Sequence, residues 1–272
     1  MVKFLLFLLL FAGVSICANV FWFYSGSDFS PKNFQPPVQV AYKSPPVDIP
    51  SGPYAYLGHG KQSMVFESTD QSHVLKLFYW KRPLCKRWYR NAENWLRFAS
   101  PSWLIKTVKK RGEIKKLFTR YIWGFEDLRT ETAIVHVHFS KTAEPIPISL
   151  IDRNGKSHPL NLADFPFILQ KKIILIPQYL DAKLRIGDIL GAKQAIANLR
   201  EYFARRIQMG YIDNPEVFAK NYGFIGDQPV QIDIGRFVKP KQFDVKKEQE
   251  KVFRNLDKYV RKHYPALMNL SN

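Results

Sequence analysis

The amino-acid sequence predicts an α+β fold in which two unequal lobes follow an N-terminal hydrophobic helix. Three observations support this prediction. Short strand-like segments separated by turn residues fill an N-lobe of about residues 54–170. A strongly amphipathic helical pattern lies in a C-lobe of about residues 177–272. An almost unbroken apolar run covers residues 4–24. We therefore expect an antiparallel sheet with a helix in the N-lobe and a mainly helical C-lobe.

The composition limits the classes of protein that fit. A chain of 272 residues that is 46% hydrophobic can bury a core, and residues 54–272 suffice for one two-lobed domain. The net charge of +18 favours anionic partners, such as acidic lipid, nucleic acid or phosphorylated substrates. Of the two cysteines, Cys17 lies in the apolar run, so Cys85 alone remains in the domain. This excludes an internal disulfide and a cysteine-rich zinc site.

The N-terminus predicts an anchor or a targeting segment. Residues 4–24 are long enough to cross a bilayer as a helix, and Lys3 supplies a charged end. The same residues also fit a cleaved signal peptide, or less well a buried helix. We expect a membrane-anchored or exported protein and leave open the side of the membrane that holds the domain. Prolines and small residues in 25–53 predict an extended linker.

The first strands carry a candidate phosphate site. Gly58, Gly60 and Ser63 lie in the loop between two predicted strands, and Lys76 lies on the next one, His73 to Phe78. Glycines let backbone N–H groups approach a phosphate, and a lysine facing the cleft between the lobes adds charge. A hairpin with ordinary turn glycines and a solvated lysine is the alternative.

A basic stretch, residues 81–120, follows these strands and is interleaved with tryptophans. It includes a predicted helix over 83–98 that contains Glu93. The stretch fits a solvated face, an anionic membrane surface or, least well, single-stranded nucleic acid. Glu93 either pairs with Lys76 or is a surface residue.

The rest of the N-lobe is predicted from local patterns. His136 and His138 share one face of a strand, where packed or solvent-facing roles are favoured over metal binding because no third ligand is evident. The predicted elements are a helix over 114–130 that Gly124 weakens, a strand over 133–139, a hairpin of 148–152 and 157–162, and a strand over 165–170. Residues 171–176 connect the lobes.

Three oxygen-bearing side chains follow the strongest predicted helix, Ala192 to Met209, which Gly210 ends. They are Asp213, Asn221 and Asp233. Carboxylate and amide oxygens are the ligands that Mg²⁺ prefers. Turns that cap a helix and a strand would produce a similar pattern, so both interpretations stay open.

Taken together, the glycine loop, the Lys76 strand, Asn221 and Asp233-Ile234-Gly235 resemble the protein-kinase-like superfamily. The resemblance implies a two-lobed fold that binds ATP and Mg²⁺. It implies that Gly58, Gly60 and Ser63 cover the phosphates, and that Glu93 holds Lys76 against the α- and β-phosphates.

The resemblance also implies roles in the C-lobe. Asn221 and Asp233 would hold Mg²⁺, and Asp213 would accept the proton of the substrate hydroxyl. Lys220 would reach the γ-phosphate. Asp227 is a weaker substitute for Asp213.

The sequence departs from the pattern of protein kinases in two ways. Tyr211-Ile212-Asp213 replaces the usual His-Arg-Asp, and the segment from Asp213 to Asn221 is longer. After Gly235 one predicted amphipathic helix, about residues 244–264, replaces the helical platform that binds peptides. This truncated C-lobe resembles bacterial kinases that act on lipopolysaccharide sugars and an uncharacterised bacterial kinase-like family.

The leading hypothesis is a membrane-tethered phosphotransferase that moves the ATP γ-phosphate to a hydroxyl of a membrane glycolipid or another small acceptor. Residues 4–24, and the basic face 81–120, would contact the membrane. One alternative is an inactive pseudokinase that serves as a binding module. Another is a basic protein that binds anionic lipid or nucleic acid.

Overall fold

The computed structural model describes residues 29–35, 40–46, 48–60, 62–79, 110–213 and 216–268, with only the backbone for 110–113. The apolar run 4–24, the predicted helix over 83–98 with Glu93, and most of the basic stretch 81–120 lie outside these residues. No helix within the described ranges is both long and apolar enough to span a bilayer.

The N-lobe is built on a seven-stranded sheet. In chain order its strands are β1 (Pro53–His59), β2 (Ser63–Ser68), β3 (His73–Phe78), β4 (Ile134–His138), β5 (Pro147–Ile151), β6 (Ser157–Asn161) and β7 (Phe167–Lys171). Their spatial order is β4-β7-β3-β2-β1-β5-β6. All neighbours are antiparallel except β1 and β5, which pair in parallel. The predicted antiparallel sheet is therefore present with one parallel pair, because the β5–β6 hairpin is added beside β1.

Among the described elements, helix α1 (Lys110–Glu126) packs on this sheet. It contacts β4 and ends earlier than predicted, and a short α2 (Arg129–Thr132) follows it. The position of Gly124 in α1 leaves no room for a side chain. A Cβ atom on this residue would lie 2.3 Å from Cδ1 of Ile234. The missing side chain lets α1 approach the C-lobe closely.

Part of the predicted linker packs against the N-lobe. Phe29 and Phe34 are buried in the sheet core, and the ring of Phe34 stacks on Tyr79 with centroids 5.0 Å apart. The N–H of Val40 donates to the carbonyl of Phe139 at 3.2 Å. In the described part of 25–53 the helical element is a short 3-10 turn, Pro31–Asn33, and the aromatic side chains bury apolar surface. The packed domain therefore begins well before residue 54.

The C-lobe is mainly helical, as predicted. Its helices are α3 (Ile176–Arg185), α4 (Ile189–Gln208), α5 (Phe218–Asn221) and α6 (Val245–His263). A small sheet pairs β8 (Ile174–Leu175) with β9 (Tyr222–Ile225), and β9 with β10 (Gln228–Gln231).

Both long helices begin at aspartate caps and share one core. Asp188 accepts from the N–H of Gly191 at 2.8 Å, and Asp244 accepts from the N–H of Lys247 at 3.1 Å. Gly210 follows α4 with φ of 88°, as a helix-ending glycine commonly does. The apolar faces of α4 and α6 meet through Leu199, Phe203, Ile207, Val252, Leu256 and Val260.

Gly223 allows the segment that links the lobes to approach β9. A Cβ atom at this position would lie 2.1 Å from the carbonyl oxygen of Ile174.

We expect Gly223→Ala to lower the free energy of unfolding by about 2–3 kcal/mol, because backbone must move to make room. Urea denaturation measures this loss. Gly58→Ala is the control, since its Cβ would meet nothing within 4 Å in the part of the chain that the structure describes. Equal stability of the two variants would contradict the prediction.

Candidate active site

The N-lobe contributes a buried lysine to the contact between the lobes. Lys76 lies on β3 opposite Val65 of β2, and its side chain is only 6% exposed. Its ammonium donates a hydrogen bond to the carbonyl oxygen of Ile232 in the C-lobe. Burial lowers the pKa of Lys76 to about 8, and the carboxylate of Asp233 opposes this shift.

The C-lobe contributes Asn221 and Asp233 at the open end of the β9–β10 hairpin. Tyr222 pairs with Gln231, and the next residues continue the ladder because the N–H of Ile232 donates to the carbonyl of Asn221 at 2.8 Å. The backbone of Ile232 is thus contacted by Asn221 on one side and by Lys76 on the other.

Asn221 and Asp233 carry the kinds of oxygen ligand that Mg²⁺ prefers. Asp233 offers a carboxylate whose Oδ1 accepts from the N–H of Gly235 at 3.1 Å, and Asn221 adjoins it through Ile232. No group of three or more His, Cys, Asp or Glu side chains suited to a metal occurs in the described part of the chain. A site of one carboxylate and one amide suits a metal that substrate phosphates also bind, as is usual for Mg²⁺.

The glycine loop lies over Asp233-Ile234-Gly235. A Cβ atom on Gly235 would lie 2.3 Å from Oε1 of Gln62, so the loop side chain reaches the C-lobe. The loop closes through the N–H of Gly60, which donates to the carbonyl of Ser63 at 2.8 Å. Among the described residues, a Cβ atom at Gly58 or Gly60 would meet no atom closer than 4.0 Å. Packing against these residues therefore does not explain the two glycines, and their phosphate-binding role stays a prediction.

Helix α1 supports the same segment from the other side. Nη1 of Arg120 donates to the carbonyl of Gly235 at 2.6 Å, and Ile234 is buried in the core that α1 shares with the sheet. Burial and, second, the charge of Asp233 raise the pKa of Tyr121. Glu93 lies outside the described residues, so its ion pair with Lys76 stays a prediction.

Asp213 lies close to this group but is covered. It is 2% exposed, its Oδ2 accepts from Nε2 of Gln231 at 2.7 Å, and its Oδ1 is 3.3 Å from Nε of Arg236. Burial raises the pKa of Asp213, which Arg236 and Arg206 oppose. A substrate hydroxyl can reach Oδ1 only if Arg236 moves, and the role of Asp213 as a base stays a prediction.

A buried polar network behind Asp213 was missed by the sequence analysis. Arg206 of α4 is 0% exposed and pairs with Glu216, Nη2 to Oε1, at 2.6 Å. Its Nη1 donates to the hydroxyl of Tyr222 at 3.0 Å and to Oε1 of Gln231 at 2.8 Å. The sequence does contain a sign that Arg206 is buried, because this residue lies three positions after Phe203 on the apolar face of the predicted helix.

Two other candidates lie apart from these contacts. Lys220 is exposed on α5, and its role at the γ-phosphate stays a prediction. Asp227 lies at the turn of the β9–β10 hairpin, six residues before Asp233 and so roughly 20 Å from it along an extended strand. There its carboxylate accepts from the hydroxyl of Tyr179, so Asp227 does not substitute for Asp213.

His136 and His138 are buried on β4. The ring of His138 stacks on Phe167 with centroids 5.0 Å apart, and burial lowers the pKa of both histidines. They are packed strand residues, as the sequence analysis favoured.

Comparison with known proteins gives distant similarities. No protein-family model matches the sequence, and no curated protein does. Among solved structures, the chain is similar to WbdD in a co-crystal with the kinase inhibitor LY294002: 15% identity, a TM-score of 0.38, and coverage of 74% of this chain and 37% of that one. A second WbdD structure is described as a bifunctional kinase-methyltransferase. It gives 14% identity, a TM-score of 0.33, and coverage of 73% of this chain and 34% of that one.

Rv3197 from Mycobacterium tuberculosis, solved with erythromycin, gives 15% identity, a TM-score of 0.34, and coverage of 76% of this chain and 53% of that one. The chain thus spans about a third to a half of the length of these proteins. Two of the three structures are of a protein described as a kinase, the class that the sequence resembles. At these TM-scores the likeness decides nothing further, so the function must be argued from the contacts around Ile232.

Proposed function

We propose that the protein is a kinase-like phosphotransferase that binds ATP with Mg²⁺ in the crevice between its lobes. The observation that carries the proposal is the convergence of both lobes on Ile232. The amine of Lys76 and the carbonyl of Asn221 contact its two backbone groups, and Asp233 is the next residue. These backbone contacts bring Lys76, Asn221 and Asp233 into one region, and a lysine together with amide and carboxylate side chains is what phosphoryl transfer uses.

The residues of the proposed site have different roles in this reaction. Lys76 binds the α- and β-phosphates and orients the nucleotide. Asn221 and Asp233 would hold Mg²⁺, which would neutralise the negative charge that develops on the transferred phosphate. Asp213 accepts the proton of the acceptor hydroxyl as the new oxygen–phosphorus bond forms and the bond to the β-phosphate oxygen breaks. Arg236 must first move away from Asp213.

The acceptor that we propose is a membrane glycolipid or another small alcohol. The net charge of +18 favours an anionic surface or substrate, and residues 4–24 would keep the domain near a membrane. A basic face in 81–120 would contact lipid head groups. Nucleic acid is the less favoured partner.

Nucleotide binding is tested by thermal unfolding of the full chain with and without MgATP. We expect MgATP to stabilise the wild type by about 2.7 kcal/mol when its concentration is a hundred times Kd. Asp233→Ala should lose most of this gain, and chelation of Mg²⁺ should have the same effect.

Asp227→Ala is the matched control for that experiment, because it alters the other end of the same hairpin. Its shift with MgATP, measured from its own baseline, should equal that of the wild type. If MgATP does not stabilise the wild type, or if both variants respond equally, the proposed site is wrong.

A pseudokinase is the second candidate function, and the burial of Asp213 favours it. An assay of phosphate transfer distinguishes an enzyme from a pseudokinase. With labelled ATP and a bacterial glycolipid extract, we expect the wild type to label the lipid and Asp213→Asn to be about 10²–10⁴-fold slower. Nucleotide binding without transfer to lipid or small alcohols would identify a pseudokinase. An unchanged rate for Asp213→Asn would remove Asp213 from the mechanism.

A further inference from the structure

We propose that Gln231 is a positioning residue that fixes the carboxylate of Asp213 relative to Asp233. This inference rests on the proposed function and adds a residue to the site. One primary amide joins three parts of the protein here: helix α4, the segment after it that contains Asp213, and the end of β10. None of the sequence motifs pointed to Gln231.

The contacts of Gln231 define which way its amide faces. Its oxygen Oε1 accepts from Nη1 of Arg206 at 2.8 Å and from the hydroxyl of Tyr202 at 3.2 Å. Its nitrogen Nε2 donates to Oδ2 of Asp213 at 2.7 Å and to the carbonyl oxygen of Asp233 at 3.1 Å. All the hydrogen-bonding groups of the amide are therefore used.

The charges on the two sides of Gln231 prevent the amide from turning over. A flipped amide would place NH₂ against the guanidinium of Arg206, and its oxygen against the carboxylate of Asp213. Both contacts would then be repulsive in a site that excludes water, where such contacts are strong. Arg206 is itself fixed by Glu216 at 2.6 Å, so the orientation is transmitted from a buried ion pair.

The position of Asp213 depends on this amide. Within the described ranges, the groups that contact its carboxylate are Gln231 on Oδ2 and Arg236 on Oδ1. Arg236 is 37% exposed at its side chain and must move for a substrate to enter. Gln231 is 0% exposed and is held by Arg206 and Tyr202, so we expect it to stay in place when Arg236 moves. Because it is fully buried, it acts through Asp213 and does not touch the substrate.

The test compares the steady-state kinetics of Gln231→Met with those of the wild-type full chain. Methionine is similar in size but has no amide. We expect kcat for phosphate transfer to fall about 100-fold, because a small displacement of a reacting group costs about that much. The KM for MgATP should stay within about 3-fold, since Lys76, Asn221 and Asp233 keep their side chains.

Two further variants keep the test decisive. Tyr222→Phe removes a hydroxyl that contacts Arg206 and Glu216 but not Asp213, so it should lower the thermal midpoint and leave kcat within about 3-fold of wild type. Gln231→Glu keeps an acceptor for Arg206 and replaces the donor that faces Asp213. It should lose kcat as Gln231→Met does, and it serves if that variant does not fold.

The outcomes distinguish this inference from the proposed function. A wild type that transfers no phosphate overturns both. An active wild type together with a folded Gln231 variant of unchanged kcat overturns the inference alone. Equal loss of kcat in Tyr222→Phe and Gln231→Met would show that the effect is not specific to the amide that faces Asp213, and would also overturn the inference.

Discussion

Replacing Lys76 with methionine is expected to abolish the stabilisation by MgATP and to lower kcat/KM about 10³-fold. The amine is buried and faces the segment that contains Asp233, so no solvent ion can replace its charge. Loss of one buried charged partner costs about 3–5 kcal/mol, and about 4 kcal/mol corresponds to this factor. Thermal unfolding with MgATP and steady-state kinetics measure the two effects.

Lys76 should also make kcat/KM depend on pH. Burial lowers the pKa of Lys76 to about 8, so the wild type loses the ammonium as pH rises through that value. Because kcat/KM reports groups of the free enzyme, it should fall above about pH 8. A value of kcat/KM that stayed constant up to about pH 10 would contradict the assignment of Lys76 to the phosphates.

The stability of the nucleotide-free protein should change in the opposite direction. Between about pH 8 and the unfolded pKa of about 10.5, the unfolded chain binds a proton at Lys76 and the folded protein does not. Wild-type stability should therefore rise by about 3 kcal/mol relative to Lys76→Met across this range. Lys156→Met, at an exposed lysine of the β5–β6 hairpin, should show the wild-type slope.

The second large effect is expected at the buried ion pair. Arg206→Met should lower the free energy of unfolding by about 3–5 kcal/mol, because it leaves Glu216 buried without its partner. Urea denaturation measures this loss. Burial already raises the pKa of Glu216 against the opposing charge of Arg206. Without Arg206 the folded pKa rises further, so the variant should regain stability as pH falls towards about 5.

Two variants provide the controls for this experiment. Arg206→Met combined with Glu216→Gln should recover at least half of the loss, since the unpaired charge is removed. Arg200→Met breaks the pair with Asp257, whose side chains are 38% and 32% exposed, and should cost about 1 kcal/mol or less. If Arg200→Met and Arg206→Met cost the same, the buried pair does not have the role given to it here.

Local patterns in the sequence were sufficient for much of the fold. The period of apolar residues gave α4 and α6, and alternation with turn residues gave β1, β2 and β3. Signals of this kind depend on neighbours a few residues apart, which the sequence displays directly. The order of the glycine loop, Lys76, Asn221 and Asp233 was also readable, and the structure brings Lys76, Asn221 and Asp233 together around Ile232.

Other features were decided only by tertiary packing. The parallel pairing of β5 with β1 and the burial of Phe34 join segments whose sequence neighbours give no sign of contact. Gly124 was read as a weakness of its helix, yet the close approach of Ile234 explains it.

The sequence by itself determined which chemical groups the site contains, because side-chain type and order along the chain are local facts. The tertiary structure alone decided which of them are shielded: Asp213 beneath Arg236, and Gln231 between Arg206 and Asp213. Burial and partner choice depend on contacts between residues far apart in sequence, and these contacts set the cost of every buried charge.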